Sequence, residues 1–428
     1  MSFNVTNCIT KSLSLTDANI TFTGEIYEKT INNLKTLIYE AILTCDSSSC
    51  PVCGNLNSSK IIKHGSKKSI VRILPVNGQP AAIRLKKQRF LCKECHSTFI
   101  AESNIVNKFC SISNRLKAHI LSTLSQKINE RDIAKINNVS HSTVSRYIDN
   151  NFKKYSPPRH TLPKNLSFDE FKSTKDAKGA MSFIITDLDE KRVIDIVENR
   201  QLYHLKIYFN RFTNKARKSV RTISIDIYQP YVSLIKEMFP NAKIIYDRFH
   251  LINNLSRVLL KTRIDAMKLI PVSTMQYKRL KRYLKLIQMD FEKLGARDFR
   301  RWVHFKEMKT EYGLVMEAIS VDETLKDTYE IYQILLQDFK RKDIEGLKKH
   351  LEAFKSKGSK HIRNAIETML KDFDYVANAL KYDFSNGFTE GVNNFIKVLK
   401  RIAFGYKSLF HFRNRILITL RLKEQFDM

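Results

Sequence analysis

The stretch TISIDIYQPYVSLIKEMFPNAKIIYDRFH, Thr222 to His250, reads as strand, helix, strand. Thr222 to Ile227 is a short β-branched run and Tyr231 to Phe239 has helical spacing. Lys243 to Tyr246 is a second apolar run, ended by Asp247. Strands joined through a helix belong to an α/β sheet. Upstream, LSFDEF (Leu166–Phe171), MSFIIT (Met181–Thr186) and Val193–Val197 read as three successive strands, followed by a helix over Leu202–Phe212. Three sequential strands followed by strand, helix and strand predict a mixed sheet. It begins after the proline-rich break YSPPRHTLP, Tyr155 to Pro163, where a domain boundary is expected.

Two acids lie in apolar strand surroundings, Asp169 in the first strand and Asp226 near the end of the fourth. A lone carboxylate there is costly unless it is paired or bound to metal. Carboxylate oxygens suit Mg²⁺ and Mn²⁺, and three acids from separate elements can hold two ions about 3.5 to 4 Å apart for displacement at phosphorus. Glu170, Asp187, Asp189 and Asp195 compete for such a role, most of them as solvated strand-end residues. Seven Lys/Arg and no acid lie between Asn199 and Ile225, so Asp226 has a strongly positive neighbourhood.

Phe249 to about Lys381 is helical in pattern throughout, with charges of both signs as on solvated bundle faces. Trp302, the only tryptophan, is read as a core or half-buried residue, with stacking on an unpaired base as the alternative. Beyond the bundle, SNGFTEGVNNFIKVLKRIAFGY (Ser385–Tyr406) places one acid, Glu390, at the head of a basic helix expected from about Phe388. Glu390, Asn394, Lys397 and Arg401 follow the spacing of one helix face, and Lys400 adds to the cations. From Gly391 to Lys423 there are eight Lys/Arg and no acid. Taken alone, Glu390 could simply complement the helix dipole.

Toward the N-terminus, Cys50-Pro-Val-Cys53 and Cys92-Lys-Glu-Cys95 form two thiolate knuckles, the four soft ligands of a structural Zn²⁺ site. Cys45 and His96 are possible substitute ligands. Between the knuckles, VRILPV and AAIRLKKQRFLC read as two strands of a ribbon. Ser47 to Lys93 carries ten Lys/Arg, among them Lys86, Lys87 and Arg89, and no acid, a surface suited to phosphates. ERDIAKINNVSHSTVSRYIDN carries a helix-turn-helix pattern. Ile133, Ala134, Val144 and Ile148 would pack it, an Asn would take the left-handed turn, and Ser142, Thr143 and Arg146 would face a groove. Residues 1–45 suggest no chemistry, and LKTLIYEAIL there fits helix or strand.

The chain has 428 residues, so two to four folded units are expected. A net charge of +31 exceeds what solubility needs and points to a polyanion, with nucleic acid first. No apolar run is long enough to span a membrane, and MSFNVTNCIT lacks the regions of a signal peptide, so a cytoplasmic, nucleoid-associated protein without membrane contact is expected. Seven cysteines, four of them in two CxxC pairs, fit metal binding in a reducing compartment.

Taken together, CPVCG with CKEC, the helix-turn-helix, DEF, SIDIYQPY, NAKIIYDRFH and NGFTEGVNNFIKVLKRIAFGY resemble the DDE transposases of the bacterial insertion-sequence family L-three, in order from about Cys50 to Arg415. The resemblance implies an RNase H-like catalytic domain whose triad, Asp169, Asp226 and Glu390, holds two Mg²⁺ (or Mn²⁺) ions. It implies a supporting place near the site for Asp247 and His250 of DRFH, and likens the helical stretch to the all-α insertions of such enzymes. The implied partners are the double-stranded DNA of element ends and target, bound by a homodimer or higher assembly because two ends are cut in one complex. The expected division is an N-terminal segment (1–45), zinc ribbon (46–105), helix-turn-helix (110–155), first part of the core (163–248), all-α insertion (249–383) and C-terminal core helices (384–428). Read without the resemblance, the same features also fit a non-catalytic DNA-binding regulator, or an RNase H-like nuclease directed by structure.

Overall fold

The computed structural model describes residues 5–15, 17–31, 33–45, 49–152, 155–384 and 386–426. The chain forms two compact units, one comprising Met1–Tyr155 with Ile396–Met428 and the other Ser156–Phe395.

In the first unit, α1 (Val5–Ser12) precedes β1 (Ile20–Ile31), β2 (Leu34–Leu43), β3 (Ile61–Arg72), β4 (Ala81–Cys92) and β5 (Thr98–Ile100). The sheet order is β1-β2-β4-β3, with β5 also on β4. The segment LKTLIYEAIL is therefore a strand, and the N-terminal hairpin widens the ribbon by pairing β2 parallel to β4, Leu37 opposite Ala81. The first ribbon strand starts at Ile61, and of VRILPV only Val71 and Arg72 belong to it. Ile83, Leu85, Val71, Leu43 and Phe90 form the core under this sheet.

The helix-turn-helix follows as α2 (Asn114–Thr123), α3 (Glu130–Ile136) and α4 (His141–Phe152). Ile133, Ala134, Val144 and Ile148 are buried as their spacing requires, and Asn138 takes the left-handed turn at φ 52°. Asn does so at low cost because its short polar side chain tolerates that region.

The second unit carries β6 (Asn165–Lys172), β7 (Met181–Asp187), β8 (Arg192–Val197), α5 (Leu202–Phe209), α6 (Asn214–Lys218), β9 (Thr222–Ile225), α7 (Gln229–Met238) and β10 (Lys243–Tyr246). The sheet order is β10-β9-β6-β7-β8. The pairs β6–β7 and β7–β8 are antiparallel, whereas β6–β9 and β9–β10 are parallel. This is the mixed sheet of an RNase H-like core, with its switch from antiparallel to parallel at the central β6. Phe168, Phe183, Phe209 and Phe239 interlock on one face of it. Burying each such side chain contributes about 1.5–3 kcal/mol.

The helical insertion comprises α8 (Arg248–Lys268), α9 (Met275–Arg282), α10 (Leu284–Gln288), α11 (Glu311–Ile319), α12 (Glu323–Arg341), α13 (Ile344–Ala353), α14 (Lys360–Lys371) and α15 (Phe373–Lys381). Only Arg300–Lys309 interrupts it with a small antiparallel bridge. Trp302 is structural here: its Nε1 donates to the Lys309 carbonyl at 2.8 Å, Tyr283 meets it edge-on and Arg300 lies 4.0 Å over its ring. The last helices are α16 (Gly387–Ile402) and α17 (Leu409–Phe426), and the division between units falls inside α16. In the first unit α17 packs on α4, where buried Arg415 donates to the Leu124 and Ile128 carbonyls.

Candidate active site

Strand geometry places the acids of the second unit. Ser167 and Asp169 are two residues apart on β6 and share a face. Asp226 is the first residue beyond β9, and Asp247 lies between β10 and α8. Because β9 and β10 are parallel neighbours, both loops emerge at the same end of the sheet. Asp247 caps α8, its Oδ1 accepting the Phe249 amide at 3.1 Å, and this brings His250 back over the strand ends in the first turn of the helix.

The tightest group is not the triad expected from the motifs. One ligand atom each from Asp226, Asp247 and His250 lie within 4.8 Å of one another. His250 Nδ1 pairs with Asp226 Oδ1, and its Nε2 stands 3.9 Å from Glu390 Oε1. Asp169 stands close enough to Asp226 and His250 to feel the charge of both. Four carboxylates thus surround one imidazole, and Asp247 and His250 stand inside the group.

The electrostatics follow from this crowding. Burial pushes Asp169 up to about 6 and the negative charge of Asp226 adds to it, against the pull of the Glu170 amide on its Oδ1. Burial likewise raises Asp247. The hydrogen bond that His250 donates to the Asp226 carboxylate raises the imidazole, opposed by burial and assisted by the charges of Asp226, Asp247 and Asp169. Asp247 Oδ2 is buried and finds no hydrogen-bond partner among the described residues. An orphaned carboxylate oxygen beside other carboxylates is costly unless a cation satisfies it, so this donor set fits a divalent ion with oxygen preference.

Glu390 arrives on α16, and the helix is docked by side chains that motif reading passed over. Asn386, Thr389 and Asn393 are buried on the face that meets the sheet. Ser167 Oγ donates to Asn386 Oδ1 at 3.1 Å, Thr389 Oγ1 donates to Ser167 Oγ at 3.1 Å, and the Thr389 and Thr186 hydroxyls are 2.8 Å apart. Asn393 Nδ2 donates to Asp169 Oδ2 at 2.6 Å. Their i, i+3, i+7 spacing was a usable signal, the polar complement of the stripe that starts at Glu390. On that stripe Asn394, Lys397 and Arg401 are exposed, while Lys400 is half-buried with its ammonium 5.2 Å over the Phe412 ring.

The competing acids have other partners. Glu170 pairs with Arg200 and accepts the Tyr231 hydroxyl at 2.6 Å. Asp187 and Asp195 are buried, contrary to the expectation of solvated strand ends. Asp187 accepts the Asp189 amide of the β7–β8 turn and pairs with Arg192, whereas Asp195 accepts the Tyr208 hydroxyl at 2.8 Å. A buried carboxylate with such donors organises a turn or a strand and needs no ion.

In the first unit the four sulfurs of Cys50, Cys53, Cys92 and Cys95 converge. Cys50 and Cys95 Sγ are 3.7 Å apart, and Cys53 and Cys92 Sγ 3.8 Å. Tetrahedral zinc with Zn–S bonds of about 2.3 Å requires sulfur separations of about 3.8 Å, so these residues fit structural Zn²⁺. Cys45 stands apart from the group, against the apolar core under the ribbon. On the ribbon, Lys68 lies directly opposite Lys86 and Lys67 opposite Lys87. Like charges so placed are unfavourable without a counter-charge. Lys86 and Arg89 are exposed, and burial lowers Lys87. On α4, Ser142 and Arg146 are exposed and Thr143 is half-buried.

The chain's matches agree with this architecture. A family model described as the zinc-finger of transposase IS204/IS1001/IS1096/IS1165 matches residues 46–95. A transposase for insertion sequence element IS1001 from Bordetella parapertussis is 21% identical over 345 residues, 80% of this chain and 82% of the relative. A Lactococcus lactis subsp. lactis protein named ATP-dependent protease is 33% identical over 113 residues, 26% of this chain and 35% of that protein, and so partial a match carries no activity across. No described helix is long and apolar enough to cross a membrane. With the model of the ISL3-type DDE enzymes, described as Transposase, matched over residues 166–416, which include Asp169, Asp226, Asp247, His250 and Glu390, the chain belongs to the ISL3 family of DDE transposases.

Proposed function

We propose that this transposase binds the terminal inverted repeats of its insertion sequence and carries out metal-dependent strand cleavage and strand transfer at the cluster around His250. The observation that carries the reading is the meeting of acids from β6, the β9 end, the β10–α8 junction and α16 beside a single imidazole. Asp169, Asp226 and Glu390 would hold two Mg²⁺ (or Mn²⁺) ions, with Asp247 Oδ2 as a further oxygen in reach. When bound, such ions generate a nucleophile from water and neutralise the charge developing at phosphorus.

The chain's own groups prepare that site. His250 links Asp226 to Glu390 and offsets part of their mutual repulsion, while Asn393 and Thr389 lock the Glu390 helix onto the sheet. In cleavage, a water oxygen bonds to phosphorus as the P–O3′ bond breaks, leaving a 3′-hydroxyl and a 5′-phosphate. In transfer, that hydroxyl attacks a target phosphodiester and releases a target 3′-hydroxyl. Cleavage consumes one water and one phosphodiester, whereas transfer makes one phosphodiester for the one it breaks, so no nucleotide is consumed and no protein nucleophile is needed.

DNA would be held by Ser142, Thr143 and Arg146 of α4, by Lys86, Lys87 and Arg89 of the ribbon, whose facing lysines call for a polyanion, and by Asn394, Lys397, Lys400 and Arg401 of α16. A homodimer or larger assembly follows from the need to cut two ends together, in the cytoplasm beside the nucleoid. The test is Asp226→Asn, assayed for Mg²⁺-dependent nicking at the terminal inverted repeats. Cleavage should vanish while end binding persists; retained cleavage would sink the catalytic assignment.

A further inference from the structure

The helical insertion treats its cations in two ways. Some are paired with acids: Lys268 with Asp265 at 2.9 Å, Arg341 with Glu292 at 3.3 Å, and Lys342 with Asp383. Pro271 to Met289 differs, since it contains no Asp or Glu at all. In this stretch α9 turns Leu280 inward, with Tyr283 buried just beyond its end. Arg279, also inward, is fully engaged. Its Nη1 donates to Glu317 at 2.8 Å, its Nε donates to the His304 carbonyl at 2.7 Å, and its guanidinium lies 4.1 Å over Phe305. The opposite face presents Lys278, Lys281 and Arg282, all exposed and with no acidic partner among the described residues.

These three cations, at i, i+3 and i+4, share one face within about 6 Å of helix axis. Packing does not require them, because Leu280 is buried in the core and Arg279 and Tyr283 hold this stretch to the Arg300–Lys309 segment; the Tyr283 hydroxyl, for instance, donates to the Val303 carbonyl at 2.7 Å. Solubility does not require them either in a chain with a net charge of +31. Mutual repulsion on one helix face is relieved when a line of phosphates supplies the missing negative charge.

We infer that Lys278, Lys281 and Arg282 on the outer face of α9 form a further DNA-contact surface, which grips the phosphate backbone of duplex DNA without reading its sequence. The class of partner rests on the DNA reading given above; the surface itself rests on the uncompensated charge. The test uses the full chain and a random-sequence duplex, with binding measured over a range of salt concentrations. The variant Lys278→Ala, Lys281→Ala, Arg282→Ala keeps strong helix formers on α9. A control variant, Lys268→Ala, Arg341→Ala, Lys342→Ala, removes three acid-paired cations from the same insertion. Each phosphate contact contributes a slope of about 0.9 in log affinity against log salt, so the α9 variant should be shallower than wild type by about 2.7 and the control nearly unchanged. A wild-type slope in the α9 variant, or an equal loss in both variants, overturns the inference while leaving the DNA partner intact. Absence of salt-dependent binding by the wild-type chain overturns this inference together with the DNA reading beneath it.

Discussion

Asn393 Nδ2 donates a 2.6 Å hydrogen bond to Asp169 Oδ2, so the helix that delivers Glu390 also grips the first acid of the sheet. Asn393 is buried, and β6 and α16 are separated by more than two hundred residues of chain. Removing an outer partner of a metal-binding carboxylate typically costs 10–100-fold in affinity or activity. Asn393→Ala should therefore lower cleavage by about 10–100-fold and raise the Mg²⁺ concentration needed for half-maximal cleavage, with end binding unaltered. An unchanged Mg²⁺ requirement would remove Asn393 from the positioning of Asp169.

Asp247 gives a second test. The motif resemblance makes it a supporting residue, but its Oδ2 is a buried orphan and it belongs to the tightest group with Asp226 and His250. Asp247→Asn keeps the α8 cap, since an Asn oxygen also accepts the Phe249 amide. It should abolish cleavage as thoroughly as Asp226→Asn in the same nicking assay. Near wild-type cleavage would return Asp247 to a purely capping role.

The first unit contains a histidine clasp. His411 on α17 pairs through Nε2 with Glu130 at 3.0 Å and through Nδ1 with Asp149 at 2.8 Å, in company with His141, Tyr406 and Arg415. Burial pulls its imidazolium down, but the two carboxylates prevail and leave it above its ordinary 6.5. A raised histidine contributes stability that is complete below the unfolded value and is lost as pH rises through the folded one. Thermal melting of this unit should thus weaken from about pH 6.5 upward, and His411→Gln should flatten that dependence. A melting profile identical in the variant would show that the clasp does not titrate as described.

Zinc should be countable. Metal analysis of the purified chain is expected to give about one zinc per chain, lost when Cys50 and Cys53 become Ser. Metal retained by that double variant would move the ligands elsewhere. Because thiolate ligation couples to folding, loss of the metal should also loosen the β3–β4 ribbon, seen as faster amide exchange at residues such as Phe90.

What the sequence by itself determined was local. Alternating or continuous apolar runs announced β6, β7 and β8, and β10 falls on Lys243–Tyr246 as read, because apolar runs and β-branching are properties of neighbouring residues. The CxxC knuckles, the helix-turn-helix packing residues and the stripe that starts at Glu390 were legible for the same reason. Other features depended on partners far away in the chain. Residues 1–45 carried no clear signal, yet they build a hairpin whose second strand pairs parallel to β4, a choice made by the neighbouring sheet. Asp187 and Asp195 looked like solvated strand ends, but Arg192 and Tyr208 bury them as structural acids. Only the tertiary structure decided that Asp247 and His250 stand inside the acid cluster and that Asn386, Thr389 and Asn393 set the phase of α16. A carboxylate's neighbours and a helix's rotation are settled by long-range hydrogen bonds and packing, which spacing along a chain does not encode.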